Sequence, residues 1–334
     1  MFVPRVEMEL LTASAGSYPR IGDRFEQQRH RQAYARWERG ELSDEEFERV
    51  QDEVTKEVIE EQVRAGLDLV TDGQVRWYDQ ISHFARKLGG CEIDGLLRFF
   101  DTNTYFRQPV IKGEVRWLEP IVVEEFKFAR GVSPRPVKPV ITGPYTLAAS
   151  SINRHYADLD ELALDFARAL CREVEAIADA GAELIQIDEP SILKNPEDFE
   201  LFEAIIEELS KHKGSANLAL YTYFGDAAPL YKKLQELPVD VLGLDFTYSP
   251  KLIEVIEAEG SEKGLGLGLI DGRNTRMERE AEILPILKRI LNRVEARTIY
   301  LNPSCGLEYL PREVAFAKLK NLVAIVKRAK EALE

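Results

Sequence analysis

The chain is poor in the residues that build stapled or metal-rich proteins: 3 cysteines, 4 histidines and 3 methionines among 334 residues. Cys91, Cys171 and Cys305 are odd in number, far apart and in no Cys-x-x-Cys pair, which argues against a disulfide framework. His30, His83, His155 and His212 form no pair with metal-ligand spacing. No apolar run is long enough for a membrane span, so no membrane partner is expected. The opening, MFVPRVEMELL, lacks a basic-then-apolar signal pattern, and the expected compartment is the cytoplasm. Positive charge is also short. With 44 basic against 58 acidic residues the net charge is −14, which argues against nucleic acid as a main partner. No GxGxxG follows the first apolar run, so no nucleotide cofactor is expected.

What is present is a globular balance, 45% hydrophobic and 31% charged, in a chain long enough to bury a large core. Its many Glu, Arg and Lys residues fit a heat-adapted source. Eight short apolar runs read as strands: Glu9–Ala13, Asp68–Thr71, Pro139–Thr142, Glu183–Ile187, Asn217–Thr222, Val241–Phe246, Gly264–Ile270 and Arg297–Asn302. They are near-continuously apolar, as strands buried on both faces should be. Helical patterns lie between most of them. Ser43 with Glu46 forms a capping box, Phe47, Val50, Val54 and Val58 form one face, and Gly66 supplies the stop. Asp158 with Glu161 opens another helix, whose stripe runs through Leu162, Phe166, Leu170, Val174 and Ile177 to Gly181. Cys171 falls on that stripe and reads as core, whereas Cys91 reads as a loop residue.

This alternation predicts an α/β chain folded as a single (β/α)8 TIM barrel, with an open doubly wound sheet as the runner-up. The glycines of GLGLGLIDG have the wrong spacing for a phosphate loop and are expected to relieve crowding in a strand. Residues 89–135 show no clear period and read as a long insertion between strands two and three, either a lid or a packed cover.

In such a barrel the chemistry sits at the C-terminal strand ends. Those ends carry Ser14, Ser17 and Tyr18; Asp72 and Gln74; Thr142 and Tyr145; Asp188 and Glu189; Tyr221, Thr222 and Tyr223; Asp245; Asp271 and Arg273; and Asn302 and Cys305. Four carboxylates, Asp188, Glu189, Asp245 and Asp271, are expected to converge on one mouth, where they can bind a metal, hold an amino group or act as acid and base. The competing reading is that each caps the helix after its strand. Cys305, in NPSCG, is either a metal ligand or nucleophile or a small buried turn residue. No histidine falls at a strand end. His30 and His212 read as exposed, while His83 and His155 lie in loops able to face the mouth.

At these same positions the sequence resembles the cobalamin-independent methionine synthase family, over nearly the whole chain. The resemblance is carried by AGSYPRIG (Ala15–Gly22), KGEVRW (Lys112–Trp117), ITGPYTLA (Ile141–Ala148), IQIDEPSI (Ile185–Ile192), GLIDGRN (Gly268–Asn274) and NPSCGLEYLPREVAFAKLKNL (Asn302–Leu322). It implies a barrel that transfers a methyl group to the thiol of homocysteine. It also implies a zinc ion that lowers the thiol pKa. The family's ligands are a His-x-Cys pair after strand five, a Glu after strand six and a Cys after strand eight. Here those positions hold Thr222, Phe224 and Asp245, and only Cys305 is retained. Gln74 stands where the family has a substrate-holding Glu, and Ser150 where it has a Trp that stacks on folate. Ser17 and Asp188 match the positions that hold the amino acid. DTNTYF (Asp101–Phe106) and the Tyr221–Phe246 stretch are more like the metal-free amino-terminal barrel of the two-barrel enzymes.

The resemblance thus implies Asp188 and Cys305 as catalytic, Ser17, Gln74, Asp188 and Asp245 as substrate-binding, and a methyl donor that is a folate or a methyl-corrinoid protein. The chain would act in methionine biosynthesis alone or as one subunit beside a catalytic partner barrel. The alternatives are a non-catalytic binding barrel and a thiol methyltransferase using a corrinoid donor.

Overall fold

The computed structural model describes residues 8–333. Residues 1–7, most of the opening segment without a signal pattern, lie outside the described residues. Ten strands are formed there: β1 (Glu9–Thr12), β2 (Leu88–Arg98), β3 (Tyr105–Trp117), β4 (Val140–Thr142), β5 (Ile152–Asn153), β6 (Leu184–Asp188), β7 (Asn217–Thr222), β8 (Val241–Asp245), β9 (Gly264–Ile270) and β10 (Thr298–Pro303). Seven make one parallel sheet in the order β1-β10-β9-β8-β7-β6-β4, with helices between successive strands. The fold is therefore α/β with a parallel central sheet. β6 to β9 are buried along their whole length or nearly so, which is why they read as unbroken apolar runs.

The run Asp68–Thr71 does not form a full strand. It makes two isolated parallel bridges, Ala13 to Leu69 and Val70 to Val137, one toward each edge of the sheet. Side chains take over the ladder at both of its ends. The Asp68 carboxylate accepts from the Thr12 backbone N–H (2.9 Å) and hydroxyl (2.8 Å). The Gln62 amide pairs with both backbone groups of Thr71, at 3.0 Å and 2.9 Å.

The helix caps follow the sequence. The Ser43 hydroxyl accepts from the Glu46 N–H, and Gly66 ends that helix (Asp44–Ala65) in the left-handed region at φ 97°. Asp158 caps the helix Leu159–Asp179 in the same way. The buried stripe there is Leu162, Phe166, Leu170, Val174 and Ile177, and Cys171 is buried beside it. His30, read as an exposed helical residue, does lie on a helix, Arg29–Glu38, but is buried edge-on against Phe47 at 5.7 Å. In β9, Gly266 lies under Tyr221: a Cβ there would meet the Tyr221 hydroxyl at 2.6 Å.

Residues 88–117 form an antiparallel hairpin, β2 with β3, extended by β5 in parallel. Cys91 lies in β2 and not in a loop. A helix, Val123–Val132, follows. Its period is hidden in the sequence because Glu125 is buried among its apolar residues, where it accepts from Trp77 Nε1 (3.0 Å) and faces His83 Nε2 (3.1 Å). His83 is thereby tied up away from the strand ends. The hairpin is anchored by Glu173, fully buried on the helix Leu159–Asp179. Its carboxylate accepts from Trp117 Nε1, Ile121 N and Val122 N, each at 2.8 Å.

Glu173→Ala strands these three donors. We expect a loss of about 3 kcal/mol in denaturant unfolding, because a buried group without its partner costs its full desolvation. An unchanged midpoint would show that the anchor is dispensable.

Candidate active site at the strand ends

The strand-end carboxylates do not act alike. Glu189 turns into the N-terminus of the short helix Pro144–Ala149, where it accepts from Tyr145 N (2.9 Å), Thr146 N (2.8 Å) and Thr146 Oγ1 (2.6 Å). Burial pushes it up to about 8 while these donors pull it back. Asp271 accepts from the Arg273 N–H at 2.9 Å. Asp245 accepts from Phe224 N (3.2 Å), Thr247 N (2.8 Å) and Thr247 Oγ1 (2.5 Å). Burial raises its pKa against those bonds. All three hold backbone, but none caps the helix after its own strand as the competing reading expected: Glu189 caps the helix after β4, and Asp245 and Asp271 accept from loop and turn N–H groups.

Asp188 is different. It ends β6 nearly buried, and no backbone N–H is among its hydrogen-bond donors among the described residues. Its Oδ1 accepts from Gln186 Nε2 (2.6 Å) and its Oδ2 from the Tyr223 hydroxyl (3.2 Å). Burial pushes it up to about 7, opposed by Gln186, the Lys138 charge and Tyr223.

Ser17 and Cys305 meet through the loop after β10. A bulge at Asn302/Pro303 turns the chain, and the Ser17 carbonyl accepts from Leu307 N at 2.8 Å. A Cβ at Gly306 would lie 2.0 Å from Ser17 Oγ, and one at Gly272 would lie 2.8 Å from Cys305 Sγ. Glycine is required at both places for these loops to touch. The half-buried Glu308 in the same loop is contacted by Gln80 Nε2. Cys305 is buried and donates to the Gly306 carbonyl (3.4 Å). Burial, then Asp245, raise its thiol pKa, with Arg273 opposing. Gln74 is buried in the left-handed region (φ 54°), and its amide approaches Gly16. Lys138, Gln80 and Glu308 were missed. Lys138 left one trace, a lysine inside the apolar stretch PVKPV.

The residues at the implied zinc positions do not fit the metal. Phe224 offers no donor atom, and its φ of 63° is unusual for a bulky residue. Its ring packs against Phe100 (5.4 Å), Tyr309 (5.8 Å) and the Arg273 guanidinium (5.2 Å), which brings a cation to this end of the site. The Thr222 hydroxyl is buried without a partner, and the Asp245 oxygens are already bonded. Cys305 alone cannot hold zinc, which needs about four ligands. Among the described residues, Cys171, Glu208 and His212 do bring three donor atoms within 4.8 Å of one another, on outer helices away from the strand ends. Lys211 is paired with that Glu208 at 2.7 Å.

The hairpin closes over this end. Phe99 and Phe100 at its turn touch Phe224, and Asp101 bonds Arg273 Nη1 and the Tyr248 hydroxyl, both at 2.9 Å. Two outcomes are expected. Asp101→Ala should change stability by less than ~1 kcal/mol, since the pair is largely solvent-accessible, while hydrogen exchange at residues 98–104 speeds up; unchanged exchange would mean that the latch is idle. Elemental analysis should find no zinc whose binding depends on Cys305. Zinc lost in Cys305→Ser but kept in Cys171→Ser would overturn the misfit.

The family described as cobalamin-independent synthase, catalytic domain, matches residues 10–328. A methionine synthase of Sulfurisphaera tokodaii is 34% identical over 332 residues, covering 97% of this chain and 94% of its own length. One of Saccharolobus solfataricus is 32% identical over 327 residues, covering 97% and 96%. Among solved structures, a B12-independent methionine synthase from Shewanella sp. in complex with selenomethionine superposes with a TM-score of 0.79 at 23% identity, covering 96% of this chain and 98% of that one. That likeness speaks for the fold. With the family matched from residue 10 to residue 328 and relatives above 30% identity end to end, the chain belongs to the cobalamin-independent methionine synthase family.

Proposed function

We propose that this protein transfers a methyl group to the thiol of homocysteine, the last bond of methionine, and does so in the cytoplasm. The observation that carries this reading is Asp188, a nearly buried carboxylate at a strand end whose oxygens are not committed to backbone. A carboxylate so placed suits a ligand ammonium. In the proposed pose Asp188 takes the amino group, Ser17 and Gln74 line the amino-acid end, and the side chain runs toward Asp245 and Cys305. The sulfur then gives its proton to solvent and attacks the methyl carbon, and the donor leaves with the electron pair of the broken bond to that carbon. No step is assigned to zinc.

The site belongs to one (β/α)8 domain, in which residues 68–71 serve as the short strand that closes the sheet and residues 89–135 are an insertion over the mouth. The two bridges of Leu69 and Val70, one to each side, support that closure. The methyl donor reaches the mouth beside Ser150, and the donor class is read from the assay. A catalytic partner barrel is part of the proposal only if the isolated chain binds homocysteine without turnover.

The test is methionine formation by the purified chain from homocysteine with a methylated folate or a methyl-corrinoid donor, alone and with a zinc-bearing family member added. Asp188→Asn should reduce kcat/KM by roughly 30- to 100-fold, the ~2–3 kcal/mol of a hydrogen bond to a charged group. An Asp188→Asn variant with unchanged kcat/KM, or a wild-type chain that does not bind homocysteine, would overturn the assignment.

A further inference from the structure

Lys138 is fully buried just before β4. The other fully buried lysine, Lys318, is neutralised by Glu278 at 2.7 Å. Lys138 has no such partner: among the described residues no carboxylate lies within 4.0 Å of its ammonium. Its Nζ donates to the Ser14 carbonyl (3.0 Å) and lies 4.5 Å from the centre of the Tyr221 ring. A buried ammonium without an ion pair is costly, and a methionine of similar length would fill the same space at less expense. Lys138 Nζ and Gln186 Nε2 sit on the successive carbonyls of Ser14 and Ala15, and Gln186 Nε2 is bonded to Asp188, so Asp188 is the carboxylate on this network whose charge acts on Lys138.

A second observation lies on the same network. Gln186 is fully buried in β6, and its Nε2 donates to the Ala15 carbonyl (2.7 Å) and to Asp188 Oδ1 (2.6 Å). Two acceptors fix that end of the amide as nitrogen, so the other end is oxygen. That oxygen is buried with no hydrogen-bond partner among the described residues. Beside Asp188, then, stands an unfilled acceptor, which is what an incoming ammonium with three N–H groups requires.

We propose that Lys138 is a positioning residue that keeps Asp188 an anion, so that Asp188 and the vacant Gln186 oxygen together receive the amino group of the amino-acid substrate. The inference rests on the proposed function in placing that amino group at Asp188. Because Lys138 stands beyond ion-pair distance, it supports the anion without occupying the oxygens that a ligand needs. Burial drives Asp188 up to about 7 and Lys138 down to about 7, and each charge pulls the other back toward its ordinary value. The other groups facing Asp188 are Gln186 on its own strand, the neighbouring Glu189, and Tyr221 and Tyr223 from β7. Glu189 is held by its helix N-terminus, and both tyrosines have pKa values raised by burial, so they stay neutral near pH 7.

The sign follows. A substrate ammonium needs Asp188 ionised, so affinity rises as pH climbs through the Asp188 pKa. Removing the Lys138 charge raises that pKa and moves the rising limb to higher pH. The experiment is calorimetric binding of L-homocysteine from pH 6 to 9 to wild type, Lys138→Met and Lys138→Arg. Lys138→Met is expected to bind at least tenfold more weakly at pH 7, to recover at higher pH, and to keep its melting temperature; Lys138→Arg is expected to keep the limb in place. A Lys138→Met protein with wild-type affinity and an unmoved limb overturns the role of Lys138 while leaving the proposed function standing. Absence of homocysteine binding by wild type overturns the proposed function itself. If Lys138→Met does not fold, the unmodified chain labelled with 13C at lysine Cε decides. The lysine titrating near neutrality should shift its midpoint downward when homocysteine saturates the site, and should not respond to 4-sulfanylbutanoate, which lacks the amino group. No shift with homocysteine overturns the inference.

Discussion

Where a strand of this sheet ends, its last backbone N–H groups lose their ladder partners inside a region with little water, and something must accept from them. That requirement decides what the polar residues of the mouth can do. Glu189 is claimed by the helix Pro144–Ala149, Asp245 by the turn through Thr247 and by Phe224, and Asp271 by the turn at Arg273. Four acidic residues in the sequence therefore become one carboxylate with capacity to spare. In the proposed pose the amino group goes to Asp188 because its neighbours are already engaged in holding the loops still.

The same economy shapes the rest of the mouth. The loop carrying Cys305 reaches Ser17 only because Gly306 leaves room for the serine hydroxyl, so the last strand and the first are locked at the point where both contribute to the site. On the opposite side the hairpin brings Phe99, Phe100 and Asp101 down onto Phe224, Tyr248 and Arg273. Arg273 joins these parts: it stacks on one ring, bonds the hairpin turn and places a cation near the buried thiol. One side chain thus ties the hairpin to the ring at Phe224 and to the charge near Cys305.

The alternation of strands and helices was plain in the sequence, because parallel strands buried on both faces leave apolar runs that caps and glycines punctuate. The element at 68–71 was legible as apolar but not as irregular, since its middle keeps backbone bonds to both neighbours while its two ends are met by the side chains of Asp68 and Gln62, and side-chain partners leave no period. The helix Val123–Val132 escaped because a buried Glu125 breaks its stripe. In the site, Asp188 and Ser17 could be named from their motifs, whereas Lys138 could not be given a role. A lysine in an apolar run reads as a surface residue until the fold shows that its chain points inward to Ser14. Nor could composition separate the one unengaged carboxylate from the three that hold backbone. That distinction depends on which N–H groups the turns leave bare.

The left-handed backbone at Phe224 bears on what it would take to build a metal site here. Its N–H is bonded to Asp245, and its ring is enclosed by Phe100, Tyr309 and Arg273. Restoring a sulfur ligand there would leave a void among the aromatic rings, a guanidinium without its stacking partner, and an aspartate still bound to Thr247. A cysteine placed at 224 alone therefore does not create a metal site here.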